Sequence, residues 1–312
     1  MELISIIVPT PDLTREAQIL KNTVNCGDEV IIVTGNNPSV QRNEGIKKAK
    51  GDILYFCDDD SVLSKDCFKK AKELFSKDKD IGIIGGPSLT PENDSMIQKT
   101  FGAALSSSFA TGPSAARYKQ KGKTRNTDEK ELILCNMFIK KEVFENCGFF
   151  SEELYPNEEN EFLNRAQSLK YKIIYSPEIY VKRPNRKNYF QFIKQCFNYG
   201  RGRAEQILFS FDLKDLVNTI PAFFTLYIIL LFLSPPIPFK FIPFLIYLFF
   251  DFIFSLKSAK ENKIFFLAPL VFFNIFLVHF FYGAGFITGL IRKTIFKKKK
   301  VSKEINIKII KR

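Results

Sequence analysis

The first sixty residues alternate between short apolar runs and polar segments with helical character. The apolar runs are residues 2–10, 29–33 and 53–57, and unbroken runs of this length are typical of buried parallel strands. Residues 41–51 predict a helix that is closed at its C-terminus by Gly51. Strands that alternate with helices predict an α/β fold, a mostly parallel sheet flanked by helices, whose ligands gather at the carboxyl ends of the strands.

The third apolar run ends in three consecutive carboxylates, Asp58, Asp59 and Asp60. Adjacent acids repel one another, and carboxylate oxygens are the ligands that Mg²⁺ or Mn²⁺ takes together with substrate phosphates. The run therefore predicts a divalent-cation site at the carboxyl edge of the sheet. A second interpretation stays open, namely a solvated acidic turn in which Asp60 or Ser61 caps a helix over residues 65–75.

Four short motifs follow one another along the chain: Val8-Pro9-Thr10, Arg42-Asn43-x-Gly45, Gly51-Asp52 and Phe56-x-Asp58-Asp59-Asp60. Their order resembles that of family 2 glycosyltransferases of the GT-A fold. The resemblance implies a nucleotide-sugar-binding domain in which Asp58 and Asp60 form a DxD motif that holds the metal on the donor diphosphate. If the alignment of the motif is shifted by one residue, Asp59 takes the place of one of these two aspartates. By the same resemblance, the donor-binding residues around this motif are Pro9, Thr10, Arg42, Asn43 and Asp59.

The resemblance extends to the segment that supplies the catalytic base. Counting back from Arg165 puts Glu159 at the base position, where the family carries aspartate. Glutamate can accept a proton, but it is one methylene longer, and positioning errors of about 1 Å can cost a hundredfold in rate. Glu158 and Glu161 are interpreted as supporting acids. The dipole of a helix over residues 158–170 also explains acids at its start.

Residues 189–204 resemble a tract of membrane glycosyltransferases of the succinoglycan-biosynthesis kind. In that tract, glutamine and arginine lie near the diphosphate and the acceptor entrance, which here implies Gln195, Arg201 and Arg203. The Gln-x-x-Arg-Trp motif of processive synthases is absent and the chain has no tryptophan, which implies addition of one sugar per encounter. As an alternative, Arg201 and Arg203 bind phospholipid headgroups from a basic interfacial helix.

One departure from the family concerns donor choice. Where relatives carry an acidic pair after the second strand, this chain reads Val-Thr-Gly-Asn-Asn-Pro-Ser over residues 33–39. Recognition of the base and ribose then falls to Asn36, Asn37 and backbone groups. An Asn-rich turn explains the same residues without any ligand.

The apolar residues concentrate in the C-terminal third. Residues 216–239, 241–256 and 264–291 contain no Lys or Arg, and Asp251 is their one carboxylate. The first and third are long enough to cross a hydrocarbon core of about 30 Å, while the second is marginal. About three transmembrane segments are therefore expected. Because Met1 leads directly into the first strand, without a signal peptide, the catalytic domain is expected on the cytoplasmic side of the cell membrane.

The net charge of +13 is unevenly distributed along the chain. Residues 292–312 are strongly basic, and next to a transmembrane segment such a tail predicts a cytoplasmic anchor on anionic lipids. Three full crossings would place this tail outside, against the positive-inside rule. Either one proline-bearing segment is re-entrant or the third folds into a hairpin. The family resemblance favours three spans, and the side of the tail is left open.

The sequence thus predicts four parts: residues 1–186 form the catalytic domain, 187–215 an interfacial amphipathic helix region, 216–291 the transmembrane segments and 292–312 the basic tail. The predicted activity is inverting transfer of a sugar from a nucleotide-sugar donor to a membrane-associated acceptor, with Mg²⁺ or Mn²⁺ as cofactor and Glu159 as base. A polyprenyl-linked glycan is the expected acceptor, membrane lipids are expected partners, and nucleic acid is not. Two alternatives stay open, a non-catalytic membrane scaffold of a glycan-assembly complex and a nucleotidyltransferase.

Overall fold

The computed structural model describes residues 3–23, 27–211, 213–235, 238–295 and 305–311. These residues divide into two compact units. The first unit takes in the described parts of Met1–Pro91, Ala116–Pro184 and Lys299–Arg312, and the second those of Glu92–Ala115 and Asn185–Lys298. The first unit thus includes the last residues of the chain. The second unit includes a short segment, Glu92–Ala115, that lies in sequence between two parts of the first unit.

The first unit is built on a mixed sheet with the strand order β11-β2-β1-β3-β8-β5-β9-β7. Its strands are β1 (Ile4–Thr10), β2 (Glu29–Thr34), β3 (Ile53–Cys57), β5 (Ile81–Gly85), β7 (Arg125–Asn126), β8 (Asn136–Lys140), β9 (Lys172–Tyr175) and β11 (Asn306–Lys311). The predicted strands β1, β2 and β3 are parallel neighbours, whereas β8 is antiparallel to both β3 and β5. A smaller sheet has the order β4-β10-β6, with β4 at Val62–Leu63, β6 at Ser88–Leu89 and β10 at Val181–Lys182.

Helices pack around the large sheet of the first unit. They are α1 (Glu16–Asn22), α2 (Pro38–Lys48), α3 (Cys67–Lys77), α6 (Lys141–Cys147) and α7 (Glu158–Ser168). Every residue of β1, β2, β3 and β5 is buried, which is why these strands read as unbroken apolar runs. The predicted α/β class is confirmed.

Two local predictions at helix ends are corrected by the structure. Helix α2 ends at Lys48 with Ala49 as its C-cap, so Gly51 does not close it. Gly51 instead lies against β1, where an added Cβ would come within 2.6 Å of the Ser5 backbone nitrogen. Neither Asp60 nor Ser61 caps a helix, because α3 begins later, at Cys67. Asn37 has a capping role: its Oδ1 accepts hydrogen bonds from the backbone N–H groups of Ser39 and Val40.

The second unit is helical. It contains α4 (Met96–Ser106), α5 (Ser108–Thr111), α8 (Tyr189–Phe209), α9 (Ile220–Leu233), α10 (Ile242–Glu261) and α11 (Ala268–Ile295). Among its described residues, three segments are long and apolar enough to cross a membrane by length and composition: Leu213–Leu233, Ile242–Glu261 and Phe265–Arg292. They match the three apolar segments expected from the sequence. Many large apolar side chains on α9 and α10 are exposed.

The end of the predicted basic tail is an edge strand of the large sheet. Strand β11 pairs antiparallel with β2 in continuous register, from Asn306 opposite Thr34 to Lys311 opposite Glu29. Ile307 packs against the core on one face of the sheet and Ile310 against the core on the other. These residues are therefore held by backbone pairing and core contacts. They do not form the free lipid anchor expected from their charge. Residues 296–304 of the same tail lie outside the described residues.

Five of the six cysteines lie within the described residues. Cys57, Cys67, Cys135 and Cys196 are buried thiols, and Cys147 is partly buried. Cys26 lies outside the described residues.

Candidate active site

Three carboxylates follow β3 at the carboxyl edge of the large sheet. The outer two, Asp58 and Asp60, face the same guanidinium. Arg183 Nη1 lies 3.1 Å from Asp58 Oδ2, and Arg183 Nε lies 3.2 Å from Asp60 Oδ1. Arg183 directly follows β10 of the small sheet. Asp58 and Asp60 thus converge on a shared positive charge.

The middle carboxylate, Asp59, points to different partners. Its Oδ2 accepts a hydrogen bond of 2.9 Å from Thr10 Oγ1 at the end of β1, and its Oδ1 pairs with Arg15 Nη1 at 2.9 Å. Asp59 therefore fixes the loop after β3 to the end of β1. This division of roles favours Asp58 and Asp60, rather than Asp59, as the pair directed at a ligand.

The carboxylate oxygens of Asp58 and Asp60 fit a divalent cation whose remaining ligands are substrate phosphates and water. Mg²⁺ in nucleotide sites is usually held by one or two carboxylates plus phosphates and water, so a convergent pair of aspartates is sufficient protein ligation. Within the described parts of the chain, no group of three or more His, Cys, Asp or Glu side chains forms an all-protein cage. Burial raises the pKa of Asp60 above its usual range, although Arg183 acts in the opposite direction.

A single buried guanidinium joins the aspartates to the acidic cluster of α7. Arg42, on α2, places Nη1 2.7 Å from Glu158 Oε1 and Nη2 3.3 Å from Asp58 Oδ1. The side chains of Arg42 and Glu158 are almost completely buried. Burial, and then the charge of Glu159, hold the pKa of Glu158 above its usual range despite the attraction of Arg42.

Glu159 lies next to Glu158 but in a different environment. Its side chain remains partly exposed, and its Oε1 is 4.0 Å from Nη1 of Arg117. Arg117 is itself fixed, because it donates to the backbone carbonyl of Lys130 at 2.8 Å and to Asn160 Oδ1 at 2.6 Å. Glu159 therefore faces a positioned positive charge at a longer distance than the 2.7 Å that separates Glu158 from Arg42.

Glu161, the second predicted supporting acid, makes a structural ion pair. Both of its oxygens accept from Arg165, at 2.6 Å and 2.9 Å, one turn further along α7. Arg165 also donates to the backbone carbonyls of Cys147 and Phe149. The pair thus fastens α7 to the end of α6, and Glu161 does not face Asp58 or Asp60.

The remaining residues predicted to bind the donor in the first unit have mixed environments. Pro9 is buried within β1 opposite Val33. Asn43 is occupied by the backbone of Phe150, which it contacts through both Nδ2 at 2.9 Å and Oδ1 at 3.1 Å. Asn36 is exposed after the end of β2. Of these three, Asn36 alone offers an exposed side chain.

Gln195, Arg201 and Arg203 lie on α8 of the second unit. Gln195 accepts from Arg186 Nε at 3.0 Å and donates to the Tyr199 hydroxyl at 2.9 Å. Arg201 Nε is 3.7 Å from Glu205. Arg203 is buried, and its Nη1 lies 3.8 Å from the buried carboxylate of Asp215.

The sequence reasoning missed three arginines of the site. Arg15 faces Asp59 from a loop, Arg117 faces Glu159 from a 3₁₀ turn, and Arg183 faces both Asp58 and Asp60 from a strand end. The signal that could have found Arg183 is its place directly after a short strand that ends in Lys182. In a chain with 46 Lys and Arg residues, that signal does not separate it from ordinary surface charge.

Comparison with known families identifies part of this architecture. Residues 12–148 match the sequence model of Glycosyl transferase family 2. The matched span includes Arg42 and the three aspartates but ends before α7 and Glu159. No curated protein matches the chain at a significant level.

Solved structures show the fold. The chain is similar to the mannosyltransferase PcManGT from Pyrobaculum calidifontis, solved with GDP-Man and Mn²⁺, at 12% identity and a TM-score of 0.52 over 95% of this chain and 88% of that one. It is also similar to S. aureus TarS 1-349 solved with UDP, at 15% identity and a TM-score of 0.40 over 99% of this chain and 96% of that one. The first unit is an α/β domain of the GT-A fold, followed by candidate membrane helices.

Proposed function

We propose that this protein is an inverting glycosyltransferase that moves a sugar from a nucleotide-sugar donor to a membrane-associated acceptor. The observation that carries the proposal is the buried guanidinium of Arg42, which contacts both Asp58 and Glu158. It ties the candidate metal pair to the helix that bears the candidate base. Two acidic clusters separated by about a hundred residues therefore belong to one site. One cluster would bind the metal and the other would supply the base, and sugar transfer requires both.

The donor end of the site is the aspartate pair. Asp58 and Asp60 would hold Mg²⁺ or Mn²⁺, and such an ion neutralises the negative charge of a leaving nucleoside diphosphate. PcManGT, which shares the fold, was solved with a nucleotide sugar and Mn²⁺. Arg183 and Arg42 supply further positive charge beside the same aspartates. Thr10 and Asp59 support this end by fixing the loop after β3 to β1.

The acceptor end of the site is Glu159. Glu158 and Glu161 are engaged by Arg42 and Arg165 at 2.7 Å and 2.6 Å, whereas the ion pair of Glu159 is longer, 4.0 Å. Glu159 is therefore the acid of this cluster best able to take the proton of an acceptor hydroxyl. A single displacement with this base inverts the anomeric carbon and needs no covalent enzyme intermediate.

Membrane attachment indicates the class of acceptor. Three candidate spans follow the catalytic fold, so a lipid-linked acceptor, such as a polyprenyl-linked glycan, would be held at the same surface as the enzyme. We place the catalytic domain on the cytoplasmic side of the cell membrane, where nucleotide sugars are available. Gln195, Arg201 and Arg203 on α8 are then proposed to contact the donor diphosphate or the head of the acceptor.

The proposal is tested by turnover. Protein in nanodiscs is supplied with a panel of nucleotide sugars, Mg²⁺ or Mn²⁺, and a polyprenyl-lipid extract, and release of nucleoside diphosphate is measured. We expect metal-dependent release from one donor, lost in Asp60→Ala and Glu159→Gln but retained in Glu145→Gln, which changes an exposed acid on α6. Equal release in all four proteins, or none with any donor, would overturn the proposal.

A further inference from the structure

We propose that the second unit enters the lipid bilayer from one side only. Both of its ends return to the side of the first unit, and α11, although long enough to span, lies along α8 instead of crossing. The surface that meets the hydrocarbon is then the hairpin formed by α9 and α10. This inference concerns the bilayer as a partner and does not depend on the proposed sugar transfer.

The first argument is the pairing of β11. Neighbouring strands lie about 4.8 Å apart and exchange backbone hydrogen bonds, so two paired strands cannot be on opposite sides of a bilayer. Strand β11 pairs with β2 over six consecutive positions. The salt bridge between Lys308 Nζ and Glu16, at 2.7 Å, adds a second attachment to the first unit. The residues after the last candidate span are therefore on the same side as the residues before the first.

This placement fixes the parity of the crossings. All three candidate spans lie between residues 213 and 292, within the stretch that connects Pro184 to β11. A chain that leaves one side and returns to it crosses an even number of times. Three complete crossings are therefore excluded, and at least one of the three apolar segments does not cross.

The second argument identifies α11 as that segment. Helices α8 and α11 touch backbone to backbone: a Cβ added at Gly285 would lie 1.9 Å from the Phe197 carbonyl oxygen, and one added at Gly200 would lie 1.9 Å from that of Tyr282. One turn further along, a Cβ at Gly289 would lie 2.6 Å from the Arg201 carbonyl oxygen. The contacts of Phe197 with Gly285 and of Arg201 with Gly289 advance by four residues on both helices, so the two helices run side by side in the same direction.

Helix α8 is too polar to lie in hydrocarbon. The stretch beside α11 carries the side chains of Lys194, Gln195, Asn198, Arg201, Arg203, Glu205 and Gln206. Charged groups at the centre of a bilayer cost several kcal/mol each, so α8 belongs at the interface. Helix α11 is held against α8 at Gly285 and Gly289 and against α9 at Gly283, where an added Cβ would lie 2.0 Å from the Pro221 carbonyl oxygen. It therefore lies between the polar helix and the apolar hairpin.

The N-terminal half of α11 is held by the segment of residues 92–115. Asn274 donates from Nδ2 to Thr100 Oγ1 of α4 at 2.9 Å, and His279 Nε2 lies 3.0 Å from the carbonyl oxygen of Phe109 in α5. That segment leaves the first unit at Pro91 and rejoins it at Ala116, without a candidate span between them. Partners outside the candidate spans, on α4, α5 and α8, therefore contact α11 along both halves.

The α9–α10 hairpin has the surface expected of the part that enters lipid. Large apolar side chains on both arms are exposed, among them Phe223, Phe232, Leu245 and Phe249. At the tip, the Lys240 ammonium donates to the carbonyls of Ser234 and Pro235, each at 3.0 Å. Both arms enter together, so the hairpin keeps the number of crossings even at whatever depth its tip lies.

The pairing of β11 is tested by a disulfide in membranes of cells that express the chain. Thr34→Cys/Asn306→Cys joins directly opposed positions, whose Cα atoms fall within disulfide range, whereas Thr34→Cys/Ile310→Cys is four residues out of register. We expect the first pair to cross-link about tenfold faster than the second under mild oxidant. Failure of both pairs to cross-link, or equal rates, would contradict the pairing.

The side of α11 is tested by labelling with an impermeant thiol reagent in sealed vesicles of known orientation. The single-cysteine variants are Glu73→Cys on α3, Lys263→Cys before α11 and Asn306→Cys after it, all at exposed positions, in a chain whose native cysteines are replaced. We expect all three to be labelled from the same face. Labelling of Lys263→Cys and Asn306→Cys from opposite faces would show that α11 crosses and would overturn the inference. Because each position is read separately, a misfolded double variant does not obscure this result.

Discussion

The two acidic clusters of the first unit use the same side-chain chemistry in opposite ways. After β3, the outer acids Asp58 and Asp60 share one guanidinium and remain 21% and 30% exposed, while the middle acid, Asp59, is tied to β1. At the start of α7, the outer acids Glu158 and Glu161 are 2% and 5% exposed, and each forms a close ion pair, Glu158 with Arg42 and Glu161 with Arg165.

The middle acid of α7, Glu159, is the exception in its cluster, being 14% exposed with its ion pair at 4.0 Å. In each cluster, then, some acids stabilise the fold and others remain accessible to a ligand. The difference teaches that neighbouring carboxylates can be told apart by their partners. It is the basis on which we propose Asp58, Asp60 and Glu159 for the chemistry, while Asp59, Glu158 and Glu161 hold parts of the fold together.

The largest effect is expected at the aspartate pair. Asp60→Ala removes one of the two convergent carboxylates, so both Mn²⁺ binding and turnover should fall, turnover by about a thousandfold or more. Mn²⁺ binding is measured by electron paramagnetic resonance, and turnover by diphosphate release. Asp59→Asn is the matched control and should keep most of its Mn²⁺ affinity. Equal loss in both variants would break the distinction between outer and middle acids.

The next effect is at the base. Glu159→Gln should lower kcat by about a hundredfold to ten-thousandfold, because it removes a proton acceptor, while thermal stability and Mn²⁺ affinity stay unchanged. Glu161→Gln should do the reverse, lowering the melting temperature through loss of the Arg165 pair. A Glu159→Gln enzyme with native kcat would refute the role of this residue.

A stability effect is expected at the bridge. Arg42→Met leaves Glu158 buried without its partner, which should cost about 3–5 kcal/mol in the free energy of unfolding. The double variant Arg42→Met/Glu158→Gln should recover part of this loss, since the uncompensated buried charge is gone. Thermal melting of the wild type, Arg42→Met, Glu158→Gln and the double variant completes the cycle, and strictly additive losses would show that the two residues are not coupled.

The pH dependence of stability should distinguish Glu158 from the other acids. A carboxyl whose pKa is raised in the folded state binds more protons folded than unfolded, so its contribution to stability is present below the ordinary value of 4.5 and is lost as the pH rises above it. Melting temperatures measured between about pH 5 and pH 8 should therefore fall less with rising pH in Glu158→Gln than in the wild type. A steeper fall in the variant would contradict the raised pKa.

The smallest effect is expected at Arg183. Its guanidinium occupies both aspartates, so Arg183→Met should raise the affinity for Mn²⁺ in the absence of nucleotide by a few-fold, as partly exposed ion pairs contribute about 0–1 kcal/mol. Arg186→Met, on the second unit, is the control. A weaker affinity for Mn²⁺ in Arg183→Met would show that the arginine organises the pair and does not compete for it.

Local patterns of the sequence predicted the elements that carry the site. Strands β1 to β3 are apolar over consecutive residues and α7 opens with acids, so their positions follow from neighbouring residues alone. The roles assigned to Asp58, Asp60, Glu159 and the donor-binding residues stay predictions. So do the boundaries of the four parts.

The features that the sequence did not predict are long-range. Strand β11 pairs with β2, and its residue Asn306 lies opposite Thr34, 272 residues earlier in the chain. Nothing in the local sequence of the basic tail indicates such a partner. Arg42 looks like an ordinary helix residue until α7 is folded against it. The attachment of residues 92–115 to the second unit likewise depends on contacts such as Thr100 with Asn274, which no local pattern encodes.

The most direct test of the account is whether metal-dependent donor binding and base catalysis separate between the two clusters. Equilibrium binding of the nucleoside diphosphate released in turnover is measured with and without Mn²⁺ in the wild type, Asp60→Ala and Glu159→Gln. The account predicts that Mn²⁺ strengthens binding in the wild type and in Glu159→Gln but not in Asp60→Ala. Loss of Mn²⁺-dependent binding in Glu159→Gln, or its retention in Asp60→Ala, would contradict it.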